Sequence, residues 1–91
     1  MQEDEVFEWD ESKAESNRKK HGITFDEACA IWNDPFFYRV KLCDEPEARW
    51  LCVGRVARGV YLSAIITYRS DSIRLISARR SSKMEVEKYH E

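Results

Sequence analysis

The chain has 91 residues, 43% hydrophobic and 35% charged, with a net charge of −2. That length makes one domain burying about two thirds of its unfolded surface, which excludes a second core. No apolar run approaches the ~20 residues of a membrane-spanning helix, so a water-soluble domain is expected.

The chain opens on Met1-Gln2-Glu3-Asp4-Glu5, an acidic tail that is the opposite of a secretory leader, which makes the cytoplasm the expected compartment. The folded part is expected over residues 6–90. Val6-Phe7-Glu8-Trp9 alternates as a short strand with Phe7 and Trp9 on one face. Asp10 is a good N-cap for a helix over Glu11–His21, and Gly22 suits the residue that stops it. Ala14 is the only ordinary apolar residue of this helix, and Lys13, Asn17 and His21 form a polar stripe at i, i+4, i+8. A solvated face accounts for most such stripes. A helix with so little to bury needs another reason to dock.

Thr24-Phe25-Asp26-Glu27 has the form of a capping box opening a second helix through about Trp32, with Phe25, Ala28, Cys29 and Trp32 on its core face. Asp34-Pro35 ends it. Strands are predicted over 36–42, 49–56 and 60–68. Arg49, Leu51, Val53 and Arg55 share one face of the second, and Ala57-Arg58-Gly59 turns the chain into the third. Ile73–Arg80 alternates again, with Ile73, Leu75 and Ser77 on one side and Arg74 and Ile76 on the other. Ser82 with Glu85 is another capping box, opening a closing helix whose apolar stripe would be Met84, Val86 and Tyr89. Helices followed by strands predict an α+β fold: a short strand and two helices on an antiparallel meander of about four strands, closed by a C-terminal helix. One sheet face is then left as a binding surface.

Cys29, Cys43 and Cys52 are odd in number without C-x-x-C spacing, and His21 and His90 do not complete a zinc set. Reduced thiols are expected, with no disulfide, metal or cofactor. The charge is uneven: residues 1–48 carry 6 Lys/Arg against 13 Asp/Glu, and residues 49–91 carry 9 against 4, seven of those nine being arginine. Overall acidity speaks against non-specific DNA binding, yet a local arginine cluster can hold a polyanion because salt confines each charge to about 8 Å. Arg79 and Arg80, followed by Lys83, stand at the junction of the last strand and helix. A guanidinium fork suits phosphate oxygens, although these arginines could equally pair with the acidic half.

The ordered series Phe7-Glu8-Trp9-Asp10, Lys13, Asn17, Lys20-His21-Gly22-Ile23, Phe25, Glu27-Ala28, Asp34-Pro35, Glu47, Arg49, Gly54, Arg74-Leu75-Ile76-Ser77-Ala78-Arg79, Glu85 and Tyr89 resembles the BrnT family. These are toxins of bacterial type II toxin–antitoxin systems with a RelE-like ribonuclease fold, and the likeness covers about residues 7–89. The segment between Pro35 and Glu47 looks short, and residues 1–5 lie outside the match. The resemblance implies a metal-independent endoribonuclease that arrests growth until a BrnA-like antitoxin neutralises it. Such antitoxins carry a ribbon-helix-helix DNA-binding segment, so DNA would be reached only through the partner. A two-plus-two complex that represses its own operon is implied.

Cleavage of this kind uses the 2′-OH as nucleophile and leaves a 2′,3′-cyclic phosphate. It needs a base, a stabilised phosphorane and an acid. Arg79, assisted by Arg49, is expected to stabilise the phosphorane, with Arg80, Arg69, Arg74, Lys13, Lys20 and Lys83 as RNA contacts. His21 is either a proton-transfer group or a brace for its helix, and Glu47 either a base or the ion-pair partner of Arg49. Tyr89 is an acid, a base-stacking ring or a core residue. Two rivals stand beside this: an inactive antitoxin-binding co-repressor, and a non-catalytic RNA-binding domain stacking bases on Trp50, Tyr61 or Phe37.

Overall fold

The computed structural model describes residues 5–91, so Met1–Asp4 of the acidic tail lie outside the described residues. Strand β1 (Phe7–Glu8) leads into α1 (Glu11–His21) and α2 (Phe25–Ala28), which runs into a 3-10 turn, Cys29–Asn33. Then follow β2 (Tyr38–Cys43), β3 (Arg49–Ala57), β4 (Val60–Arg69), β5 (Ser72–Arg80) and α3 (Lys83–Tyr89). The sheet order is β1-β5-β4-β3-β2. Strands β2 to β5 form the expected antiparallel meander, while β1 pairs in parallel with β5 through Phe7–Ile73 and Glu8–Arg74. The α+β class holds, but the sheet is five-stranded and mixed rather than four-stranded and antiparallel. Two residues of strand carry no pattern that names their neighbour; the partner is decided by where the helices return the chain. Among the described residues no helix is long and apolar enough to cross a membrane.

The helices cover one face of the sheet. Phe25, Ala28 and Ile31 are fully buried against Cys52, Leu62, Ala64, Ile66, Leu75 and Ala78. Phe7 packs edge-on against Trp32 at 5.1 Å and Trp9 against Phe25 at 5.7 Å, so β1 is tied to the helical layer as well as to β5. The second helix is shorter than its sequence predicts because it tightens to three residues per turn after Ala28. Its core face therefore runs Phe25, Ala28, Ile31, and Cys29 and Trp32 are only half-buried. Gly54 permits this close approach: a Cβ there would lie 2.9 Å from Ile31 Cγ2 and 3.1 Å from Phe37 Cβ.

Helix α1 starts at Asp10, whose carboxylate accepts from the Ser12 and Lys13 backbone N–H groups, and stops at Gly22 with φ 70°. It buries one side chain, Asn17. The Asn17 amide donates from Nδ2 to Ala78 O at 2.8 Å and Ile23 O at 3.0 Å, and its Oδ1 accepts from Ala78 N at 3.0 Å. A side-chain amide thus pairs with the outer edge of β5 as a neighbouring strand would. That is how a helix with almost no apolar residue docks.

Strand β5 carries an irregularity. Ile65 faces Ser77 while Ile66 faces Leu75, so Ile76 is bulged out of register. Ile73 and Leu75 lie on the helix-covered face as expected, but Ser77 is turned to the opposite face. Arg79 follows Ser77 there through its pairing with Ser63, whereas Arg80, paired with Leu62, lies on the helix side.

Replacing Asn17 tests the docking. Asn17→Ala leaves the Ala78 N–H and C=O without partners and should lower unfolding free energy by about 2–4 kcal/mol, read by urea denaturation. Asn17→Asp should cost at least as much, because a carboxylate of equal size offers no donor to the two carbonyls. Near-wild-type stability of both variants would rule out the amide as the docking element.

Candidate functional site

Residues paired across antiparallel strands share a face, so the register lays out the face that α1 and α2 leave uncovered. One row is Tyr38, Val53, Ser63 and Arg79, and the next is Val40, Leu51, Ile65 and Ser77. A third holds the pairs Cys43–Arg49 and Thr67–Arg74, with Arg69 and Ser72 beyond. Arg79 and the Arg49–Arg74 row are four residues apart along the strands, about 13 Å at ~3.3 Å per residue. Between them lies the mostly apolar middle row, with Val40 40% exposed.

Short helix α3 covers only the Arg79 end. Its Ser82–Glu85 capping box forms as expected, but the predicted apolar stripe does not bury: no residue of α3 is buried, and Met84 is 79% exposed. The helix is held by polar contacts and by the edge-on packing of Tyr89 against Tyr61 at 5.2 Å. Tyr38 donates its hydroxyl to Glu85 O at 3.0 Å, and Tyr89 donates to Asp34 Oδ2 at 2.7 Å. Asp34 also accepts the backbone N–H groups of Phe36 and Arg55, so it ties α3 to the turn after the second helix and to β3. Burial and the Asp34 acceptor push the Tyr89 hydroxyl up to about 12, which commits it to bracing rather than proton transfer near neutrality.

Arg79 makes a bidentate pair with Glu85, Nη1 to Oε1 at 2.8 Å and Nη2 to Oε2 at 2.9 Å. Glu85 Oε1 also accepts from Ser63 Oγ at 2.8 Å and from Ser82 N at 2.8 Å. Four donors converge on one carboxylate. Arg79 foremost, with Ser82 and Ser63, holds its pKa down at about 2 despite the opposing effect of burial. Sequence reasoning named Arg79 and saw Glu85 only as a cap; no spacing rule links residues six apart across a strand-to-helix junction.

Arg49, Arg69 and Arg74 each meet a carboxylate through a single nitrogen. Glu47 lies 3.7 Å from Arg49 and 3.3 Å from Arg69, and Thr67 Oγ1 pins the loop carrying Glu47 by donating to Ala48 O at 2.7 Å. Arg49 Nε is buried without a hydrogen-bond partner among the described residues. Arg74 donates to Glu8 Oε2 at 2.6 Å, and Ser72 to the other oxygen of that carboxylate. Lys13, Lys20 and His21 line a cleft of about 210 Å³ at the outer edge of β5, together with Ser16, Ile76 and Ser77. The structure therefore gathers Arg49, Arg69, Arg74, Arg79 and Glu47 on one face, with Lys13, Lys20 and His21 at its rim. Arg80 lies on the opposite face, Lys83 is exposed in the first turn of α3, and Tyr89 is part of the α3 brace.

Among the described residues no group of three or more His, Cys, Asp or Glu side chains is placed to hold a metal ion. Cys29, Cys43 and Cys52 are unpaired, and burial pushes the Cys29 thiol up to about 11 and Cys52 to about 12.

The Glu85 pair sets a pH window. Its folded pKa, about 2, lies below the ordinary 4.5, so its contribution to stability is complete above pH 4.5 and is lost as pH falls through 2. The stability difference between the wild type and Glu85→Gln should be constant from pH 5 to 8 and shrink below about pH 4.5, measured by urea midpoints. A difference that instead changes between pH 6 and 8 would assign it to another group.

The fold and the arginine face can now be set beside known proteins. The family described as "Ribonuclease toxin, BrnT, of type II toxin-antitoxin system" matches residues 9–85. The crystal structure of the Brucella abortus ribonuclease toxin BrnT superposes with a TM-score of 0.65 at 20% identity, covering 87% of this chain and 99% of that one. At that identity the likeness speaks for the fold. No curated protein sequence matches. Matched over most of its length, the chain belongs to the BrnT family of ribonuclease toxins from type II toxin–antitoxin systems.

Proposed function

We propose that this protein is a RelE-like endoribonuclease working without a metal ion, and that the open sheet face is where it binds and cleaves RNA. The observation that carries this is the alignment of Arg49, Arg69, Arg74 and Arg79 on one uncovered face. Four guanidinium groups there meet three carboxylates, those of Glu8, Glu47 and Glu85. The Glu8 and Glu47 pairs are exposed enough to be worth about 0–1 kcal/mol each, so phosphates can exchange for those carboxylates at little cost. Binding by such exchange is salt-sensitive and suits a chain that is acidic overall.

In the reaction the 2′-oxygen attacks the adjacent phosphorus, the bond from phosphorus to the 5′-oxygen breaks, and a 2′,3′-cyclic phosphate and a 5′-OH result. Arg79 meets charge developing on the non-bridging oxygens, and Arg49 and Arg69 hold the neighbouring phosphate. In this reading Glu47, between two arginines, and His21, at the β5 rim, take or return the proton. RNA crossing from the arginine face over the β5 edge would pass Lys13 and Lys20. Membership of a toxin–antitoxin family implies an antitoxin. In this reading it is BrnA-like, with a ribbon-helix-helix segment, and forms a two-plus-two complex that reads DNA in the cytoplasm. The filled Arg79 fork also suits a second reading, an inert antitoxin-binding co-repressor.

One assay separates the two. Antitoxin-free protein incubated with labelled RNA in EDTA should yield fragments ending in cyclic phosphate. Arg79→Ala should reduce the rate on the order of 10²–10³-fold while circular dichroism and antitoxin binding are unchanged. Intact RNA, with ribosomes also supplied, would favour the co-repressor; full activity of Arg79→Ala would remove that residue from the site.

A further inference from the structure

The contacts of Glu85 have the character of an anion seat rather than of an ordinary surface ion pair. Its two oxygens take both forks of Arg79, and one of them also takes Ser63 Oγ. Ser81 Oγ lies 2.7 Å from Ser63 Oγ, adding a second hydroxyl. Arg79 and Ser63 are opposite one another on the paired strands β5 and β4, a rigid platform, whereas the carboxylate arrives on α3. A planar fork with flanking hydroxyls is the donor set that fits a tetrahedral phosphate diester as well as it fits a carboxylate.

The element that delivers the carboxylate is built to detach. None of the residues of α3 is buried, and its capping box is internal: Ser82 Oγ accepts from Glu85 N at 3.2 Å, and Glu85 Oε1 accepts from Ser82 N at 2.8 Å. The box can therefore travel with the helix. Its remaining ties are the Tyr38 hydroxyl bond to Glu85 O, the Tyr89 hydroxyl bond to the buried Asp34, and the edge-on contacts of Tyr61 with Tyr89 and His90; the hydroxyls find water on release, and only the ring contacts are apolar.

We infer that the Glu85 carboxylate occupies the seat of an RNA phosphate formed by Arg79, Ser63 and Ser81, and that α3 lifts when a phosphodiester takes its place. This rests on the proposed reading that RNA binds the open face. It makes α3 a built-in competitor: the free enzyme holds its own anion, and RNA displaces it. Acid does not open the latch near neutrality, because Glu85 stays ionised down to about pH 2.

A fluorescent 2′-O-methyl oligoribonucleotide, which cannot be cleaved through its 2′-oxygen, reports binding by anisotropy. Glu85→Gln keeps the size and capping geometry of the side chain but removes the competing charge, so it should bind about fivefold more tightly than the wild type. In an Arg79→Ala background the same change should have no effect. On the wild-type protein, adding the oligonucleotide should speed hydrogen exchange of the amides at 83–90, a readout that does not depend on any variant folding. Equal or weaker binding by Glu85→Gln, or slowed exchange in α3, overturns the inference while binding that weakens in Arg79→Ala leaves the RNA face standing. If neither the wild type nor Glu85→Gln binds the oligonucleotide, both the inference and the RNA-face reading fall.

Discussion

The structure depends on three hydrogen bonds from one amide. Strand β5 runs between β4 and a β1 of only two residues, so beyond Arg74 its outer edge has no strand partner among the described residues. A buried, unpaired backbone group costs about 1–3 kcal/mol, and the Ala78 N–H and C=O would both be in that position. Asn17 satisfies them with a side chain that offers one donor and one acceptor at the spacing of a peptide, and its second amide hydrogen holds Ile23 O as the chain leaves the helix. Because the helix docks through this amide rather than through an apolar stripe, the rest of its surface is free to be charged. Lys13, Lys20 and His21 can then stand at the rim of β5 beside Ser77.

The sheet divides its two faces by chemistry. On the helix side, Phe25, Ile31, Leu62, Ile66 and Leu75 are excluded from water, and their loss would be expensive. On the other side, arginines are balanced against carboxylates in pairs that solvent reaches. The pairs of Glu8 and Glu47 add little to stability and can be exchanged. The same strands thus carry a permanent core and a replaceable set of anion contacts, and alternation along β3, β4 and β5 keeps the two apart. The bulge at Ile76 matters here. It keeps Leu75 in the core while turning Ser77 and Arg79 to the open face, which an unbroken alternation with Leu75 would have sent inward.

Local signals were legible. The caps at Asp10, Thr24 and Ser82 and the left-handed stop at Gly22 require only near neighbours, and each forms where its residues predict. What local reasoning missed was geometry set by distant contacts. The tightening of the second helix depends on the gap that Gly54 leaves for Ile31, and Gly54 is over twenty residues away. The exposure of Met84 reflects a helix held by Tyr38, Asp34 and Arg79 instead of by its own apolar side. The arginines were recognisable as a class, but their partners were not. Glu8 reaches Arg74 across 66 positions and Glu47 reaches Arg69 across 22, distances over which no periodicity carries information.

By itself the sequence determined the α+β class, the helix starts and the family, because these depend on short-range capping, alternation and an ordered series of residues. Only the tertiary structure decided that β1 joins in parallel, that Asn17 is a surrogate strand, and that Arg79 takes the open face and is held by Glu85. Each of those is settled by sheet register or by an unpaired backbone group. Both arise only once strands distant in the chain lie side by side.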